Sequence, residues 1–505
     1  MSVGCFRLFG MTIDLREIIK AYDVRGLTGT QLTPEVAAAV GAAFAEVVVL
    51  PDFAGAAAER ERPLVVVGRD MRESGPALVD AFAGAMADRG VDVELIGLCS
   101  TDGLYYAAAS RGVPGAMFTA SHNPAEYNGI KLCRSAARPV GEASGLAEIR
   151  DLAQQYLDGG MPLPVPVGER GVITATDDLP NYARFLRGLV DLSQIRPLKV
   201  VVDAGNGMGG LTVPAVLGSA AGLPPLPLEI IPLYFELDGS FPNHEANPLD
   251  PANIVDLQAA VVAHGADIGL AFDGDADRCF VVDERGEPIS GSVITLLVGL
   301  RELARERQRI ASGGADVAGA DQPVIIHNLI TSRAVPEMLG HHGARTIRTR
   351  VGHSFIKAEM AASDAVFGGE HSGHFYFRDF WFADSGMLTA MHVLAALGTG
   401  EQLPLSAVNE WYEPYAQSGE INSRVLDAAA VSQAVVDAYQ QAFPGVSVDY
   451  LDGVTVAQWD QAPRWWFNLR GSNTEPLLRL NVEAEDADVM EKVRDDVLAL
   501  IAGAE

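Results

Sequence analysis

The sequence contains few cysteines for its length. Four occur among 505 residues, and no two of them form a Cys-x-x-Cys pair. Their wide spacing argues against a disulfide framework and against a zinc ribbon. We therefore expect reduced thiols in a cytoplasmic protein at Cys5, Cys99, Cys133 and Cys279.

Basic residues and long apolar runs are also scarce. Lys and Arg number 37 against 66 Asp and Glu, which gives a formal net charge of −29. This balance argues against nucleic acid and against an anionic membrane as partners, because both need a basic face on the protein. No uninterrupted apolar run reaches the roughly 18 residues of a membrane span. The N-terminal segment lacks the apolar core of a signal peptide, and Met11 is a second candidate start.

The chain is long enough for several domains. Single cores stop growing near about 250–300 residues, and this chain has 505. A pattern of β-branched runs separated by amphipathic segments occurs three times, in residues 63–124, 198–278 and 323–374. It predicts an α/β unit used three times, with polar loops at strand ends where such sheets bind ligands.

After about residue 400 the pattern changes to antiparallel strands and one closing amphipathic helix, typical of an α+β domain. The predicted domains are 1–170 with the serine loop, 171–290 with an acidic loop, 291–400 with a Glu-Ser loop, and 401–505 with an Arg-Ser-Asn-Thr loop.

The acidic loop, AFDGDADR, places Asp273, Asp275 and Asp277 at alternate positions between two predicted strands. Carboxylates at this spacing can point to one side and bind a hard cation. An EF-hand is disfavoured because Arg278 stands where that loop needs glycine, and a plain acidic turn remains an alternative. A Mg²⁺-type site is favoured, with Arg278 placed to bind the same anion as the cation.

The serine loop, TASHNPAEYNGIK, leaves three interpretations open for Ser121. A hydrolase serine is disfavoured because no G-x-S-x-G elbow is present and the adjacent His122 is expected to point elsewhere. A capped turn is the second interpretation, and a phosphoryl carrier is the third.

Two further loops carry polar groups suited to a sugar phosphate. In GGEHSGHFYF, a carboxylate and a hydroxyl on a glycine-containing turn suit vicinal sugar hydroxyls, and a turn without a ligand is the alternative. In RGSNTEP, a guanidinium and two hydroxyls suit an anion, and a capped turn is the alternative. The residues concerned are Glu370, Ser372, His374, Arg470, Ser472, Asn473 and Thr474.

Three weaker patterns complete the candidates. KAYDVRG contributes Tyr22 and Arg25, and VGHSFIK places His353 and Lys357 at helical spacing, where an ordinary solvated face is the alternative. DAGNGMGG matches the dinucleotide fingerprint G-x-G-x-x-G, with Glu229 about 20 residues further on. A dehydrogenase would leave the aspartates and the RGSNTEP turn unexplained, so this match is treated as fortuitous. A serine hydroxyl, a cation site, a sugar-binding pair and an anion site together favour phosphoryl transfer between serine and a sugar.

The motifs TASHNPAEYNGIK, DGDADR, GEHSGH and RGSNTEP, in this order and at this spacing, resemble those of the α-D-phosphohexomutases. The resemblance covers the chain from about Asp14 onward. GEHSGHFYFRDFW is most similar to bacterial phosphomannomutase or to the dual phosphomannomutase/phosphoglucomutase, whereas the phosphoglucosamine branch has another residue at the position of His371. One departure is CSTDGLYYA, where Asp102 follows Thr101 in place of the usual proline.

The resemblance implies three topologically similar α/β domains with mixed sheets and a C-terminal α+β domain, arranged around a central cleft. It implies interconversion of hexose 6-phosphate and hexose 1-phosphate, foremost of mannose and also of glucose, through a phosphoserine and a 1,6-bisphosphate. The alternatives are phosphoglucomutase, phosphoglucosamine mutase and a metal-dependent sugar phosphatase. One Mg²⁺ per chain, a hexose 1,6-bisphosphate activator and a cytoplasmic monomer or dimer are also implied.

The resemblance assigns roles residue by residue. Ser121 carries the phosphoryl group and, with Asp273, Asp275 and Asp277, binds the metal. Glu370 and Ser372 hold the sugar, and the Arg470 loop holds the phosphate that does not react. Lys131, Arg278 and His353 lie near the reacting groups, Tyr22 and Arg25 line the same cleft, and the general base is His353, Lys131 or His374.

Overall fold

The computed structural model describes residues 13–20, 22–55, 60–312, 322–400, 403–471 and 477–503. The chain forms two compact units. The first contains the described residues up to Ala260, together with Gly269–Cys279 and Phe380–Leu388. The second contains Val261–Ile268, Phe280–Asp379 and the described residues from Thr389 onward.

The first unit begins with a six-stranded mixed sheet in the order β1-β5-β4-β2-β3-β6. Its strands are β1 (Val24–Leu27), β2 (Leu64–Arg69), β3 (Asp92–Leu98), β4 (Gly115–Phe118), β5 (Tyr127–Cys133) and β6 (Ile173–Ala175). The strands β2, β3, β4 and β6 are parallel, and β5 runs antiparallel to both β4 and β1. The sheet extends beyond residue 170, the predicted end of the first domain.

This part of the chain also forms α-helices, most of which bury apolar residues in clusters shared with the strands. They are α1 (Pro34–Phe44), α2 (Leu50–Gly55), α3 (Gly75–Ala87), α4 (Thr101–Arg111), α5 (Leu146–Gly159) and α6 (Leu179–Leu189). The continuous helical segment Pro34–Gly55 is long and apolar enough to match a membrane span by composition, a match that the sequence analysis did not foresee. Most of it is buried, and Val36, Val40 and Phe44 belong to the core of the first unit. We therefore describe it as a core helix.

The next group of elements follows the same β/α alternation. Its strands and helices are β7 (Leu198–Asp203), β8 (Leu228–Leu233), β9 (Ile268–Phe272), β10 (Cys279–Val282), β11 (Pro288–Ile289), α7 (Gly209–Val216) and α8 (Val255–His264). In the first unit, β7 pairs in parallel with β8, and β9 lies on the other side of β7. In the second unit, β10 and β11 form an antiparallel pair.

The second unit contains a third sheet, in which β13-β12-β14-β15 are neighbours. The strands β12, β13 and β14 are parallel, and β15 returns antiparallel to β14. The elements of the second unit here are β12 (Val324–Asn328), β13 (Arg345–Thr349), β14 (Phe367–Gly369), β15 (Phe375–Phe377), α9 (Gly291–Ala311), α10 (Ala334–His341) and α11 (His353–Ser363). The strand β16 (Ala383–Asp384) and the first residues of α12 (Gly386–Gly398) belong to the first unit.

The C-terminal part of the second unit is an antiparallel sheet in the order β17-β21-β20-β19-β18. Its elements are β17 (Ala416–Arg424), β18 (Ser447–Asp449), β19 (Val454–Gln458), β20 (Trp465–Gly471), β21 (Leu477–Ala484), α13 (Leu405–Tyr412), α14 (Ala428–Ala442) and α15 (Ala487–Gly503). Valines of α14 and α15 pack with Trp465 and Phe467 in one core. The predicted antiparallel strands and closing helix are confirmed.

The candidate site loops follow the ends of strands. Ser121 follows β4, Asp273 follows β9, Glu370 follows β14, and Arg470 lies at the end of β20. The first three strands belong to α/β sheets, where ligands bind beyond the carboxyl ends of the strands. The fold thus presents the polar loops predicted from the sequence at the positions that these architectures use for binding.

Candidate active site

Ser121 lies in the turn between β4 and β5. Its backbone has a φ of 50°, in the left-handed region that non-glycine residues rarely adopt. Its N–H donates to Oγ1 of Thr119 over 2.9 Å, and the residue is only 4% exposed. The serine is therefore held in one backbone geometry and shielded from solvent.

The buried residue Arg72 fixes the backbone of this turn through hydrogen bonds. The guanidinium of Arg72 donates to the backbone carbonyl oxygens of four turn residues over 2.6–2.9 Å, namely Ser121, Asn123, Pro124 and Tyr127. Its Nε donates to Asp70 over 3.2 Å. The sequence analysis did not select Arg72, although a charged residue just after the buried strand β2, in GRDMRES, was a usable signal.

The three aspartates of the acidic loop lie together and face inward. Asp273, Asp275 and Asp277 are almost completely buried, and each offers one carboxylate oxygen within 4.8 Å of the others. Strands β9 and β10 flank the loop, and an EF-hand requires helices there. The observed cluster fits a cation site of the strand-loop type.

The acidic loop and the serine turn approach each other through glycine. A Cβ on Gly274 would lie 2.4 Å from the carbonyl oxygen of Ser121. Gly207, one of the glycines that match G-x-G-x-x-G, packs in the same way. A Cβ added to it would lie 2.7 Å from the carbonyl oxygen of Gly274. Gly207 thus allows close backbone packing against the acidic loop, which gives this glycine of DAGNGMGG a structural role that needs no dinucleotide.

Ser121, Asp273 and Arg278 form a connected group. Oγ of Ser121 donates to Oδ2 of Asp273 over 2.8 Å. Nε of Arg278 donates to the same oxygen over 2.8 Å, and its Nη2 lies 3.4 Å from Oγ of Ser121. A buried guanidinium next to the serine oxygen is suited to bind the oxygens of a phosphoryl group carried there.

His122 contradicts one expectation. Its Nδ1 lies 3.2 Å from Oγ of Ser121 and 2.5 Å from Nη2 of Arg278, so the expectation that it points elsewhere is wrong. The left-handed backbone at Ser121 turns the chain so that the two consecutive side chains lie on the same side. Because a guanidinium can only donate, Nδ1 accepts from Arg278, while the serine proton is donated to Asp273. The pair therefore does not have the proton arrangement of a hydrolase triad.

Lys131 lies between two of the aspartates. Its Nζ donates to Asp275 over 2.7 Å and to Asp277 over 2.6 Å. Burial acts to lower the pKa of Lys131, but the attraction of these two carboxylates outweighs it and raises the pKa well above its ordinary value. In this arrangement Lys131 is a charged hydrogen-bond donor rather than a base.

The aspartates differ in their proton affinity. Burial raises the pKa of Asp273 to about 7, with Arg278 opposing the rise. Burial and Asp277 also act to raise the pKa of Asp275, but Lys131 and the Thr101 hydroxyl outweigh them and lower it. Among the described residues, Oδ1 of Asp275 is buried and has no hydrogen-bond partner. A buried carboxylate oxygen in an all-oxygen cluster fits a hard divalent cation, and this cluster could hold a metal.

Arg25 joins the same group from β1. Its Nη1 donates to Oδ1 of Asn123 over 2.7 Å, and its Nη2 donates to Asp23 over 2.6 Å. Tyr22 lies just before β1 and is half-buried. The first unit therefore brings together Ser121, the three aspartates, Arg278, Lys131 and Arg25.

The second unit contains the Glu-Ser loop as a tight hairpin between β14 and β15. Oγ of Ser372 donates to Glu370 over 3.0 Å and lies 3.1 Å from Nδ1 of His374. The hydroxyl of Tyr376 donates to the other carboxylate oxygen of Glu370 over 2.8 Å. Glu370, Ser372 and His374 are thus grouped as predicted, with Tyr376 as a partner that the sequence did not indicate.

The remaining predicted residues lie elsewhere in the second unit. His353 begins α11, and Lys357 lies one turn later. Lys357 is 4% exposed, so the alternative of a solvated face is wrong at that position. Arg470 lies 3.6 Å from Glu420. Ser472, Asn473 and Thr474 lie outside the described residues.

Comparison with known proteins identifies the family. The chain matches all four domain families of phosphoglucomutase/phosphomannomutase in order: α/β/α domain I over residues 16–158, domain II over 180–286, domain III over 308–415, and the C-terminal domain over 420–500. The chain belongs to the phosphoglucomutase/phosphomannomutase family.

Curated relatives and a solved structure extend the phosphohexomutase likeness to nearly the whole chain. A Xanthomonas campestris pv. campestris protein named phosphohexose mutases is 37% identical over 487 residues, covering 96% of this chain and 99% of the relative. A Salmonella typhimurium phosphomannomutase is 37% identical over 485 residues, covering 95% and 98%. The crystal structure of a phosphoglucomutase/phosphomannomutase family protein from Burkholderia thailandensis has a TM-score of 0.77 at 29% identity, covering 97% of this chain and 98% of that chain.

The predicted family, fold class and enzyme class are confirmed. The protein is a phosphohexomutase, an isomerase that acts on small hexose phosphates.

Proposed function

We propose that this phosphohexomutase interconverts mannose 6-phosphate and mannose 1-phosphate, with glucose phosphates as a second substrate pair. The proposal for mannose is supported by the name of the Salmonella typhimurium relative. The proposal for the chemistry is carried by one observation: Oγ of Ser121 lies within hydrogen-bond distance of Asp273 and beside the guanidinium of Arg278, in a buried acidic cluster.

In the proposed reaction Ser121 carries a phosphoryl group at rest. The bond between phosphorus and Oγ of Ser121 breaks as a bond forms to the free hydroxyl of the hexose monophosphate, whose proton passes to a base. The product is a 1,6-bisphosphate. After this intermediate turns round, its other phosphoryl group returns to Ser121, and the proton is restored to the sugar oxygen. Atoms and charge therefore balance over one cycle.

The site residues of the first unit have defined parts in this proposal. Asp273, Asp275 and Asp277, with Ser121, would hold one Mg²⁺. A bound Mg²⁺ supplies charge neutralisation for the phosphoryl group in transfer. Arg278 donates to the phosphoryl oxygens, while Lys131 orients two of the aspartates. Because Lys131 is protonated in this arrangement, His353 and His374 are the better candidates for the base.

The substrate is held by the other predicted loops. Glu370 accepts hydrogen bonds from the sugar hydroxyls, and Ser372 donates to them. His374 lies beside both residues. Arg470, with Ser472, Asn473 and Thr474, binds the phosphate that does not react, and Tyr22 and Arg25 contribute further contacts. A hexose 1,6-bisphosphate activates the enzyme by phosphorylating Ser121. We also propose a cytoplasmic monomer or dimer without nucleic-acid or membrane partners, in keeping with a net charge of −29.

The burial of Ser121 favours a mutase over a phosphatase. The residue is 4% exposed, and shielding from water slows hydrolysis of a phosphoserine. A metal-dependent sugar phosphatase would instead need water next to this atom.

The test is a coupled assay of mannose, glucose and glucosamine 1-phosphates side by side, with intact-mass measurement of the enzyme. We expect turnover of mannose 1-phosphate, stimulation by glucose 1,6-bisphosphate and one added phosphate on the wild type. Ser121→Ala should lose the added phosphate and nearly all turnover, whereas the exposed control Ser193→Ala should keep both. Near-normal turnover by Ser121→Ala, or steady release of inorganic phosphate by the wild type, would overturn the proposed mechanism. Preference for a glucose or glucosamine phosphate would overturn the mannose assignment alone.

A further inference from the structure

Asp102 is a buried carboxylate to which the proposed reaction gives no role. It stands in the first turn of α4, after the N-cap Ser100 and Thr101. The residue is completely buried. This is the position at which the sequence departs from the Thr-Pro pair of the family that it resembles.

Three hydroxyl groups donate to this carboxylate. Ser100 donates to Oδ1, while Tyr182 and Ser385 donate to Oδ2 over 2.8 Å and 2.5 Å. Tyr182 belongs to α6, and Ser385 belongs to the segment Phe380–Leu388 of the first unit. Both oxygens of Asp102 are therefore satisfied, and they connect three separate parts of the chain.

The neighbouring Thr101 contacts the acidic cluster directly. Its hydroxyl donates to Oδ2 of Asp275 over 2.6 Å, and its N–H donates to the carbonyl oxygen of Asp275 over 3.0 Å. Thr101 thus fixes both the backbone and the side chain of Asp275. The other oxygen of that carboxylate, Oδ1, is the buried one without a hydrogen-bond partner among the described residues.

Stabilisation of the helix N-terminus does not account for Asp102. An acidic residue in the first turn is favourable by about 0.3–1 kcal/mol even when it is exposed to solvent. Burial instead makes the charged form costly, and it raises the pKa of Asp102 to about 6. An exposed acidic residue would stabilise the helix without this cost of burial. The buried carboxylate of Asp102 instead connects hydroxyl groups from three segments of the chain.

We propose that Asp102 is a positioning residue for the metal centre: it fixes the first turn of α4, so that Thr101 holds Asp275 with Oδ1 directed to the cation. This inference rests on the proposed metal site. Residues that orient a metal ligand through one hydrogen bond commonly change metal affinity by about 10–100-fold when they are replaced.

The test measures Mn²⁺ binding to the metal-stripped full-length protein by electron paramagnetic resonance. Asp102→Asn keeps the shape of the side chain and should weaken Mn²⁺ binding by about 10-fold or more. Thr101→Val should weaken it similarly, and the double variant should bind no more weakly than the worse single one, because both act through the same contact. Asp178→Asn is the matched control, since Asp178 is a buried aspartate of the same unit that pairs with Arg111. It should leave Mn²⁺ binding unchanged.

Single-donor variants keep the test valid if Asp102→Asn folds poorly. Tyr182→Phe and Ser385→Ala each remove one hydroxyl from Asp102 and should weaken Mn²⁺ binding by a smaller factor. Folded variants with wild-type Mn²⁺ affinity would overturn the inference, even if their melting temperatures are lower, because that result is expected of a purely structural residue. A wild-type protein that does not bind Mn²⁺ would overturn the metal site itself and this inference with it.

Discussion

The carbonyl oxygen of Ser121 occupies the space that a side chain on Gly274 would need. An ideal Cβ on Gly274 would lie 2.4 Å from that oxygen, far inside the contact distance of carbon and oxygen. The close approach of these two backbones brings the Ser121 hydroxyl to 2.8 Å from the carboxylate of Asp273. The phosphoryl carrier and the acidic cluster are therefore held together by backbone packing as well as by side chains.

Gly274→Ala should separate the two loops. Because the obstacle is backbone rather than a flexible side chain, we expect a loss of about 1–3 kcal/mol in the free energy of unfolding and a marked fall in kcat. Gly188→Ala is the control, because a Cβ on this helical glycine would have no other atom within 4 Å. The control should be neutral or stabilising by up to about 1 kcal/mol. Urea unfolding and steady-state assays measure both, and equal behaviour of the two variants would contradict the prediction.

Arg72→Lys should loosen the serine turn. An ammonium has three donors, whereas Arg72 donates to four carbonyl oxygens and to Asp70. The two acceptors left unsatisfied should lower the free energy of unfolding by about 2–6 kcal/mol, at about 1–3 kcal/mol for each buried group. Arg16→Lys changes a side chain that is 77% exposed and should stay within about 0.5 kcal/mol of the wild type. Thermal unfolding distinguishes the two outcomes, and a wild-type melting temperature for Arg72→Lys would refute the holding role.

Lys131→Met should make the protein more dependent on divalent cation for stability. Without the ammonium, Asp275 and Asp277 lose their shared counter-charge. Breaking a buried pair in this way costs about 3–5 kcal/mol. Added Mg²⁺ should then raise the melting temperature of Lys131→Met by more than it raises that of the wild type, since the ion replaces the missing charge. Lys492→Met, on the exposed face of α15, should respond to Mg²⁺ as the wild type does. A Mg²⁺ response of Lys131→Met no larger than this would contradict the prediction.

The contribution of Asp102 to the free energy of unfolding should decrease as the pH rises. Burial raises its folded-state pKa from 3.8 to about 6, so the folded protein binds this proton more tightly than the unfolded chain does. The contribution is fully present below pH 3.8 and is lost as the pH rises through about 6. The shift corresponds to at most about 3 kcal/mol. Urea unfolding at intervals across this window should show a smaller decrease in Asp102→Asn than in the wild type, because Asp273, whose pKa is also raised, still contributes.

Asp191 provides a comparison of opposite sign. A hydrogen bond from the backbone N–H of Ser193 lowers the pKa of Asp191 below 3.8, so its contribution is present above that pH and is lost in more acidic solution. Asp191→Asn should therefore keep the wild-type decrease between about pH 4 and 6. If Asp191→Asn reduced that decrease, or if Asp102→Asn retained all of it, the assignment to Asp102 would be refuted.

Much of the fold could be predicted because its signals are local. The β-branched runs that became β2, β7 and β12 end in Gly, Asp or Asn, and the change to an antiparallel pattern after about residue 400 marks the C-terminal sheet. The three aspartates alternate along one short loop, so their common direction also followed from spacing alone. The grouping of Glu370, Ser372 and His374 is another local consequence of one tight turn.

The contacts that could not be predicted depend on backbone geometry or on distant partners. The direction of His122 follows from the left-handed φ of Ser121, which a sequence of ordinary residues does not disclose. Arg72 donates to carbonyl oxygens, and every residue type offers these. The partners of Asp102 lie 80 residues away at Tyr182 and 283 residues away at Ser385, beyond the reach of any local pattern.

The segment Phe380–Leu388 has a consequence for biosynthesis. It belongs to the first unit, where Trp381 stacks on Phe185 with ring centroids 5.2 Å apart and Ser385 bonds to Asp102. During translation the N-terminal part of a chain emerges and folds first, yet this unit lacks one of its own pieces until Leu388 has left the ribosome. A nascent chain that ends before this segment exposes the aromatic surface around Phe185, and the first unit is completed only late in synthesis.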